Sequence, residues 1–270
     1  MRTRIQDKDL DQASTPGNGM KTPLVTPTFI MSAPRSGSTL LRSIMNAHAD
    51  IRAPHELHLR QIQVEYQDDF VRSSIEALGL TADDIQHLLW DRLLHWELVR
   101  SGKRVIVEKT PANLSHWERL RECWPDARYI FLLRHPVHIY ESLVNNHPEF
   151  SPAVLLQRLL YEVGPMREAR ANLSGITVRY EELTADPRQV IEGICRHLEV
   201  SWDPGMLDYT KNERVFPPGV GDWGEKINSG RIHRARPVPR PEEIPDGLRP
   251  WCQEWGYLDR HPADRAQAGM

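Results

Sequence analysis

Four short stretches of this chain carry residue types that handle anions and protons. Pro34-Arg35-Ser36-Gly37-Ser38-Thr39 is a small-residue turn with one arginine, preceded by Thr28-Phe29-Ile30-Met31 and followed by Leu40-Leu41 and Ile44-Met45 at helical spacing. A strand, a tight turn and a helix in that order gather backbone N–H groups at a helix N-terminus, an arrangement that binds anions, usually phosphates. Nucleotide-triphosphate loops place a lysine after the last glycine, whereas Ser38 follows Gly37 here and Arg35 is the turn's one cation. The turn therefore suits phosphate better than a magnesium nucleotide, although an ordinary Ser/Gly turn capping a helix would read the same in isolation. Glu108-Lys109-Thr110-Pro111 and Arg134-His135-Pro136 each follow an apolar run and add two further cations. His55-Glu56-Leu57-His58 is one residue too short for the helical zinc pattern with histidines four apart, so no metal is expected.

These residues need a scaffold that brings them together. Apolar runs at Thr28–Ser32, Arg104–Val107, Tyr129–Leu133 and Ile176–Tyr180 alternate with helical segments, which predicts an α/β fold: a parallel sheet with helices on both faces. Ligands of such sheets bind beyond the C-terminal ends of the strands. The Arg35 turn, Lys109, Arg134 and Glu181-Glu182 all follow strand ends, so they are expected around one crevice. Residues 60–102 carry helix-like patterns such as Ile85-Gln86-His87-Leu88-Leu89-Trp90, expected as a helical insertion that covers the site and shapes an acceptor pocket. Asp186 followed by Pro187 announces a helix start. Trp251, Trp255 and Leu258 are expected to pack a terminal helix onto the core.

Composition narrows the partners. In 270 residues, 40% are hydrophobic and 26% charged, with a formal net charge of −3, which gives no basic excess for nucleic acid. Cys123, Cys195 and Cys252 are odd in number and widely spaced, which suits a reducing compartment without disulfides. No stretch approaches the ~20 apolar residues of a membrane helix, and the polar first 22 residues lack the apolar core of a signal peptide. The expectation is a cytoplasmic protein with no membrane or nucleic-acid partner: one domain over residues 23–260, with tails at 1–22 and 261–270. Arg236-Pro237-Val238-Pro239-Arg240-Pro241 is expected to cross the surface as an extended connector. Nothing here indicates the oligomeric state.

Together, in this order, the segments resemble the sulfotransferases that use 3′-phosphoadenosine 5′-phosphosulfate (PAPS). The resemblance runs from about residue 27 to about residue 258 and implies a P-loop-type parallel sheet flanked by helices, a single domain with a helical insertion. Arg35, Ser36, Gly37, Ser38 and Thr39 look like the family's loop for the 5′-phosphosulfate, Arg134 with Ser142 like its 3′-phosphate clamp, and Tyr180 like a tyrosine beside the nucleotide. Ala47 to Leu59 is similar to sulfotransferase domains of bacterial polyketide assembly lines, and its spacing also resembles tyrosylprotein sulfotransferases. In both branches a glutamate at the position of Glu56 is implied to be the catalytic base. Gly219-Val220-Gly221-Asp222, followed by Lys226-Ile227, resembles the polyketide branch, where this region lies over the site. No carrier-protein or thioesterase segment accompanies it.

The chemistry follows from these roles. Sulfuryl transfer has a loose transition state like phosphoryl transfer, so catalysis rests on positioning and charge stabilisation. A sulfuryl group carries fewer negative charges than a phosphoryl group, so Lys109 and Arg35 can act where kinases use magnesium. Glu56, partly buried behind His55 and Leu57, takes the acceptor's proton, and burial is expected to raise its pKa toward the useful range. His58 either orients Glu56 or serves as the base itself. Lys226, Ser229 and Arg231 are candidates to complete the nucleotide site on a C-terminal flap. The acceptor is a small molecule or peptide, free or carrier-bound, offering a hydroxyl or an amine. Two other readings stand beside this one: a kinase-like nucleotide enzyme, which would want a lysine after Gly37 and an aspartate at a strand end, and a non-catalytic nucleotide-binding module.

Overall fold

A computed structural model describes residues 23–211, 227 and 229–258. Five strands, β1 (Thr28–Ser32), β2 (Ile51–Arg52), β3 (Val105–Glu108), β4 (Arg128–Leu133) and β5 (Gly175–Arg179), form one parallel sheet in the order β2-β3-β1-β4-β5. Alternate side chains of each inner strand enter opposite layers, as strand geometry requires. Phe29, Met31, Tyr129, Phe131 and Leu133 pack with Trp90, Leu94, Trp117, Trp124 and Trp255. Ile30, Ile130, Leu132 and Val178 pack on the other face with Leu41, Ile44, Ile191 and Ile194.

The helices between the strands are α1 (Ser38–Asn46), α2 (Asp69–Glu76), α3 (Ala82–Ser101), α4 (Trp117–Cys123), α5 (Pro136–Asn146), α6 (Pro152–Val163) and α7 (Pro165–Asn172). After β5 come α8 (Tyr180–Ala185), α9 (Pro187–His197) and α10 (Arg249–Glu254). The four strands expected from sequence are present with ends displaced by a residue at most, and the Asp186 carboxylate caps α9 by accepting from Gln189 N at 3.1 Å. Trp255 is buried, with Trp251 and Leu258 packed on the same core layer. Residues 232–240 carry no regular secondary structure and are tied down where Arg236 meets Glu141 at 2.6 Å. The three cysteines are free and buried. Among the described residues no helix is long and apolar enough to cross a membrane. The tails at 1–22 and 261–270 lie outside the described residues.

β2 was not foreseen, and it matters for the site. It is two residues long, pairing Ile51 with Val105 and Arg52 with Ile106. Lys103 Nζ holds it by donating to the carbonyls of Asn46, His48 and Ile51 at 2.8–2.9 Å, and Arg52 pairs with the buried Glu97 of α3. A strand parallel to β3 at this register carries the chain beyond it, residues 53–58, past the end of β3. The insertion departs from expectation in its position: α3 packs on β3 through Trp90 and Leu94 and meets β2 at the Arg52–Glu97 pair, and neither α2 nor α3 lines the crevice. The buried residues of α3 are Trp90, Asp91, Leu94 and Glu97, while Leu88, Leu89, Trp96 and Val99 stay exposed, so it supports the loop after β2 rather than covering the site.

Candidate active site

A cavity of about 1170 Å³ opens at the C-terminal ends of the strands. Its floor is the turn between β1 and α1. Arg35 (φ 63°) and Gly37 (φ 89°) both adopt left-handed backbone conformations, which fold the chain back sharply into α1. Gly37 is required twice over, because a Cβ there would stand 2.3 Å from Cδ2 of Tyr180. No side chain caps α1, while Gly37, Ser38, Thr39 and Leu40 line the cavity. The first-turn amides and the positive end of the helix dipole are thus left for an anion. Ser36 is buried beneath the turn, with its hydroxyl unpartnered and outside the cavity lining.

Arg134, at the end of β4, and Tyr180, at the start of α8, form one wall. Arg134 Nη1 donates to the Arg35 carbonyl at 2.7 Å, and its guanidinium lies 4.7 Å from the Tyr180 ring centroid. Its Nε is buried without a partner, and burial lowers its pKa. Ser142 of α5 also lines the cavity, but its hydroxyl accepts from Arg35 Nε at 3.1 Å. The expected Arg134–Ser142 clamp is therefore arranged through Arg35, which lies between them. Behind Arg134, the Glu181 carboxylate accepts from His135 N at 2.9 Å and from Tyr257 Oη at 2.8 Å. Burial pushes the Glu181 pKa up, but the hydrogen bonds outweigh it and hold the pKa below the ordinary value. Arg231 reaches the cavity, and its carbonyl accepts from Tyr209 Oη at 2.9 Å, while Ser229 Oγ meets His233 Nε2 at 2.9 Å. Lys226 and the 219–222 stretch lie outside the described residues.

Opposite the turn, the loop after β2 meets the loop after β3. Glu56 Oε1 is paired with Lys109 Nζ, and Glu56 Oε2 lies 3.5 Å from His58 Nε2. Lys109 is 1% exposed, so its ammonium has almost no water, and burial lowers its pKa against the pull of Glu56. Glu56 keeps a quarter of its side chain exposed, on the cavity side. It sits in an ion pair rather than in the apolar surroundings expected behind His55 and Leu57. His58, itself in a left-handed conformation (φ 49°), is half exposed on the cavity rim. Glu108, at the end of β3, is fully buried. The remaining wall comes from Pro111, already marked by its motif, and from residues that did not stand out in the sequence: Ala112, Ser115 and His116 after β3 and Arg158, Tyr161 and Glu162 of α6. Arg60 completes it, donating to His116 Nε2 at 2.7 Å. Burial, then the charge of Arg60, lowers the His116 pKa, which suits a neutral imidazole acceptor. Among the described residues no cluster of three or more metal-ligating side chains is present.

One end of the cavity is thus an anion cradle, the other the Glu56 carboxylate with the buried Lys109 ammonium paired behind it. Comparison with known proteins gives this arrangement a setting. The profile of the "Sulfotransferase family" matches residues 27–204. Nodulation protein NoeE of Sinorhizobium fredii is 25% identical over 239 residues, 76% of this chain and 57% of that protein. A protein-tyrosine sulfotransferase of Drosophila melanogaster is 22% identical over 197 residues, 67% of this chain and 39% of that protein. The chain thus spans less than two thirds of the length of either relative. Among solved structures, the sulfotransferase domain of the curacin biosynthetic pathway superposes with a TM-score of 0.61 at 21% identity, covering 87% of this chain and 99% of that one. The sulfotransferase domain of the Synechococcus PCC 7002 olefin synthase gives 0.62 at 22%, covering 86% and 94%. At these identities the two structures establish a shared fold.

Proposed function

Because the chain belongs to the sulfotransferase family, we propose that it transfers a sulfuryl group from PAPS to a hydroxyl or amine of a small-molecule or peptide acceptor, free or carrier-bound. The observation that carries this reading is a cavity-lining Glu56 paired with the buried Lys109 behind it, in a cavity whose other end is the Arg35–Gly37 turn and Arg134. When bound, PAPS supplies an activated sulfuryl group and a phosphate leaving group. The residues fit such a donor: an uncapped helix start, an arginine whose buried Nε lacks a partner, and a tyrosine face beside it. The amides of α1 and Arg35 would hold the 5′-phosphosulfate end. Arg134, with its planar fork, would hold the 3′-phosphate from beside Tyr180, and Ser142 would steady Arg35. Lys226 is proposed to complete the nucleotide site from the C-terminal loop.

Glu56 removes the acceptor's proton as the acceptor oxygen or nitrogen becomes nucleophilic. Lys109, poor in water, stabilises negative charge developing on the departing phosphate oxygen, an electrostatic service that grows as solvent is excluded. Their pairing in the resting site keeps the carboxylate and the ammonium beside each other, so the acceptor meets groups already set for both ends of the transfer. His58 orients Glu56 from the rim. The acceptor lies against Arg60, His116, Ser115 and Tyr161, a polar wall that suits a polar acceptor.

Thermal shift with 3′-phosphoadenosine 5′-phosphate (PAP), set against ATP with magnesium, tests the donor, and mass spectrometry of candidate acceptors incubated with labelled PAPS tests the transfer. The reading requires a larger shift with PAP and a labelled sulfated product. Equal shifts, or a shift that needs magnesium, would favour the kinase-like alternative. Binding of PAP without product from any acceptor class would favour a binding module.

A further inference from the structure

The reacting pair proposed above comes from loops more than fifty residues apart in sequence, and something must hold them in register. One carboxylate reaches both. Glu108 ends β3, is 0% exposed, and lies across the loop junction. Its Oε1 accepts from Leu57 N at 3.3 Å and from Thr110 Oγ1 at 2.6 Å, and its Oε2 accepts from Asn113 Nδ2. Thr110 Oγ1 in turn accepts from His58 N at 3.2 Å, and the Thr110 carbonyl accepts from Asn113 N at 2.9 Å. The two amides that directly follow Glu56 are therefore both fixed by the Glu108–Thr110 unit. The residues that directly follow Lys109 are fixed by the same unit.

We propose that Glu108 is the positioning residue of this site, holding the Glu56 loop and the Lys109 loop in one geometry through its hydrogen bonds to Leu57, Thr110 and Asn113. Both of its oxygens are taken by Leu57, Thr110 and Asn113, so it acts through those residues and not on the substrate. Its buried position is costly for a carboxylate, since burial alone raises its pKa. A buried acid at a strand end would be a poor choice for mere stability, where an apolar side chain packs without donors to satisfy. What the carboxylate adds is directional: two acceptor oxygens with room for donors from both loops. The left-handed His58 backbone is one conformation this clamp maintains.

The inference rests on the reading of Glu56 and Lys109 as the reacting pair, and its test separates the two. Glu108→Gln, Glu108→Ala and Thr110→Val are compared with the wild type by PAP release from PAPS in the presence of the acceptor mixture, by PAP affinity and by the pH profile of turnover. Glu108→Gln keeps an oxygen for Leu57 and Thr110 and meets Asn113 once that amide turns over, so it should retain at least about a third of wild-type turnover. Glu108→Ala should lose ~10²-fold in kcat, the cost of misplacing reacting groups by about 1 Å, with PAP affinity within about twofold of wild type. Its pH profile should also change, because Lys109, whose pKa burial lowers, is no longer held against Glu56 in one fixed geometry. Should Glu108→Ala fail to fold, Thr110→Val, which removes only the link to His58 and one donor to Glu108, should show the same pattern at smaller amplitude. Turnover in Glu108→Gln as low as in Glu108→Ala, or PAP affinity falling in step with kcat, would overturn the positioning role while leaving the function standing. A wild type that releases no PAP overturns the function and this inference with it.

Discussion

Replacing Gly37 by alanine perturbs the anion cradle at the single point where its backbone, Tyr180 and Arg134 come together. The new methyl would begin 2.3 Å from the Tyr180 ring, more than 1 Å inside ordinary contact, on a residue with φ 89°. The left-handed backbone alone costs an L-residue about 1–2 kcal/mol. Relieving the clash moves the ring away from the Arg134 guanidinium, now 4.7 Å from its centroid, and forfeits a partly buried cation–π contact worth about 1–2 kcal/mol. The sum, about 2–4 kcal/mol, predicts a fall in Tm of about 4–16 °C at about 2–4 °C per kcal/mol for a chain near this size. Because the displaced groups are those proposed to face the nucleotide, PAP affinity measured by calorimetry should also fall by at least about tenfold, 1.4 kcal/mol. Both are read from purified Gly37→Ala beside the wild type. A variant with unchanged Tm and unchanged PAP affinity would refute the close packing of Tyr180 on the turn and its place in the donor site.

Arg134→Ala should raise the KM for PAPS more than it lowers kcat, because the phosphate it is proposed to hold keeps its charge throughout transfer, whereas Arg35→Ala should impair both; indistinguishable kinetic defects would undo that division. Since burial lowers the Lys109 pKa, its ammonium is lost at lower pH than that of a free lysine, so the alkaline limb of kcat should fall below about 10.4 and vanish in Lys109→Met; a limb at or above the free-lysine value would contradict it. Burial pushes the Cys252 thiol up to about 12 and those of Cys123 and Cys195 to about 11, so iodoacetamide at pH 8 should leave the native protein unmodified by intact mass and add three groups in denaturant; stoichiometric labelling of the native protein would count against the buried thiols.

What could be read from sequence divides along physical lines. The inner strands were legible because each is a continuous apolar run closed by a charged or turn residue, and the Asp186-Pro187 cap because its signals are adjacent. β2 was not, because Ile51-Arg52 has no periodicity of its own; its strand character comes from Lys103 and Glu97, some fifty residues later. The strand-end rule gathers the Arg35 turn and Arg134 round one crevice, and both line the cavity, whereas Lys109, Glu181 and Glu182, expected there by the same rule, are not among its lining residues. Its far side was assigned to the wrong helices, since periodicity in residues 60–102 shows that helices form and not which surface they cover. The burial of Glu108 was not legible, because its three donors lie on two loops and burial of a charge is a property of that assembly. The Arg35 hydrogen bond to Ser142 was equally invisible, joining residues 107 positions apart.

The central claim, that Glu56 takes the acceptor's proton beside Lys109, is tested most directly by single-turnover transfer from labelled PAPS in Glu56→Gln. The amide keeps the size of the side chain and most of its hydrogen bonding but cannot take up a proton, so the rate should drop by roughly 10²–10⁴ while PAP affinity stays within about twofold of wild type. The acidic limb of kcat/KM should disappear with it, and His58→Ala, measured alongside, should retain that limb. Turnover in Glu56→Gln within a few-fold of wild type would contradict the account, and joined to an inactive His58→Ala it would move the base to His58.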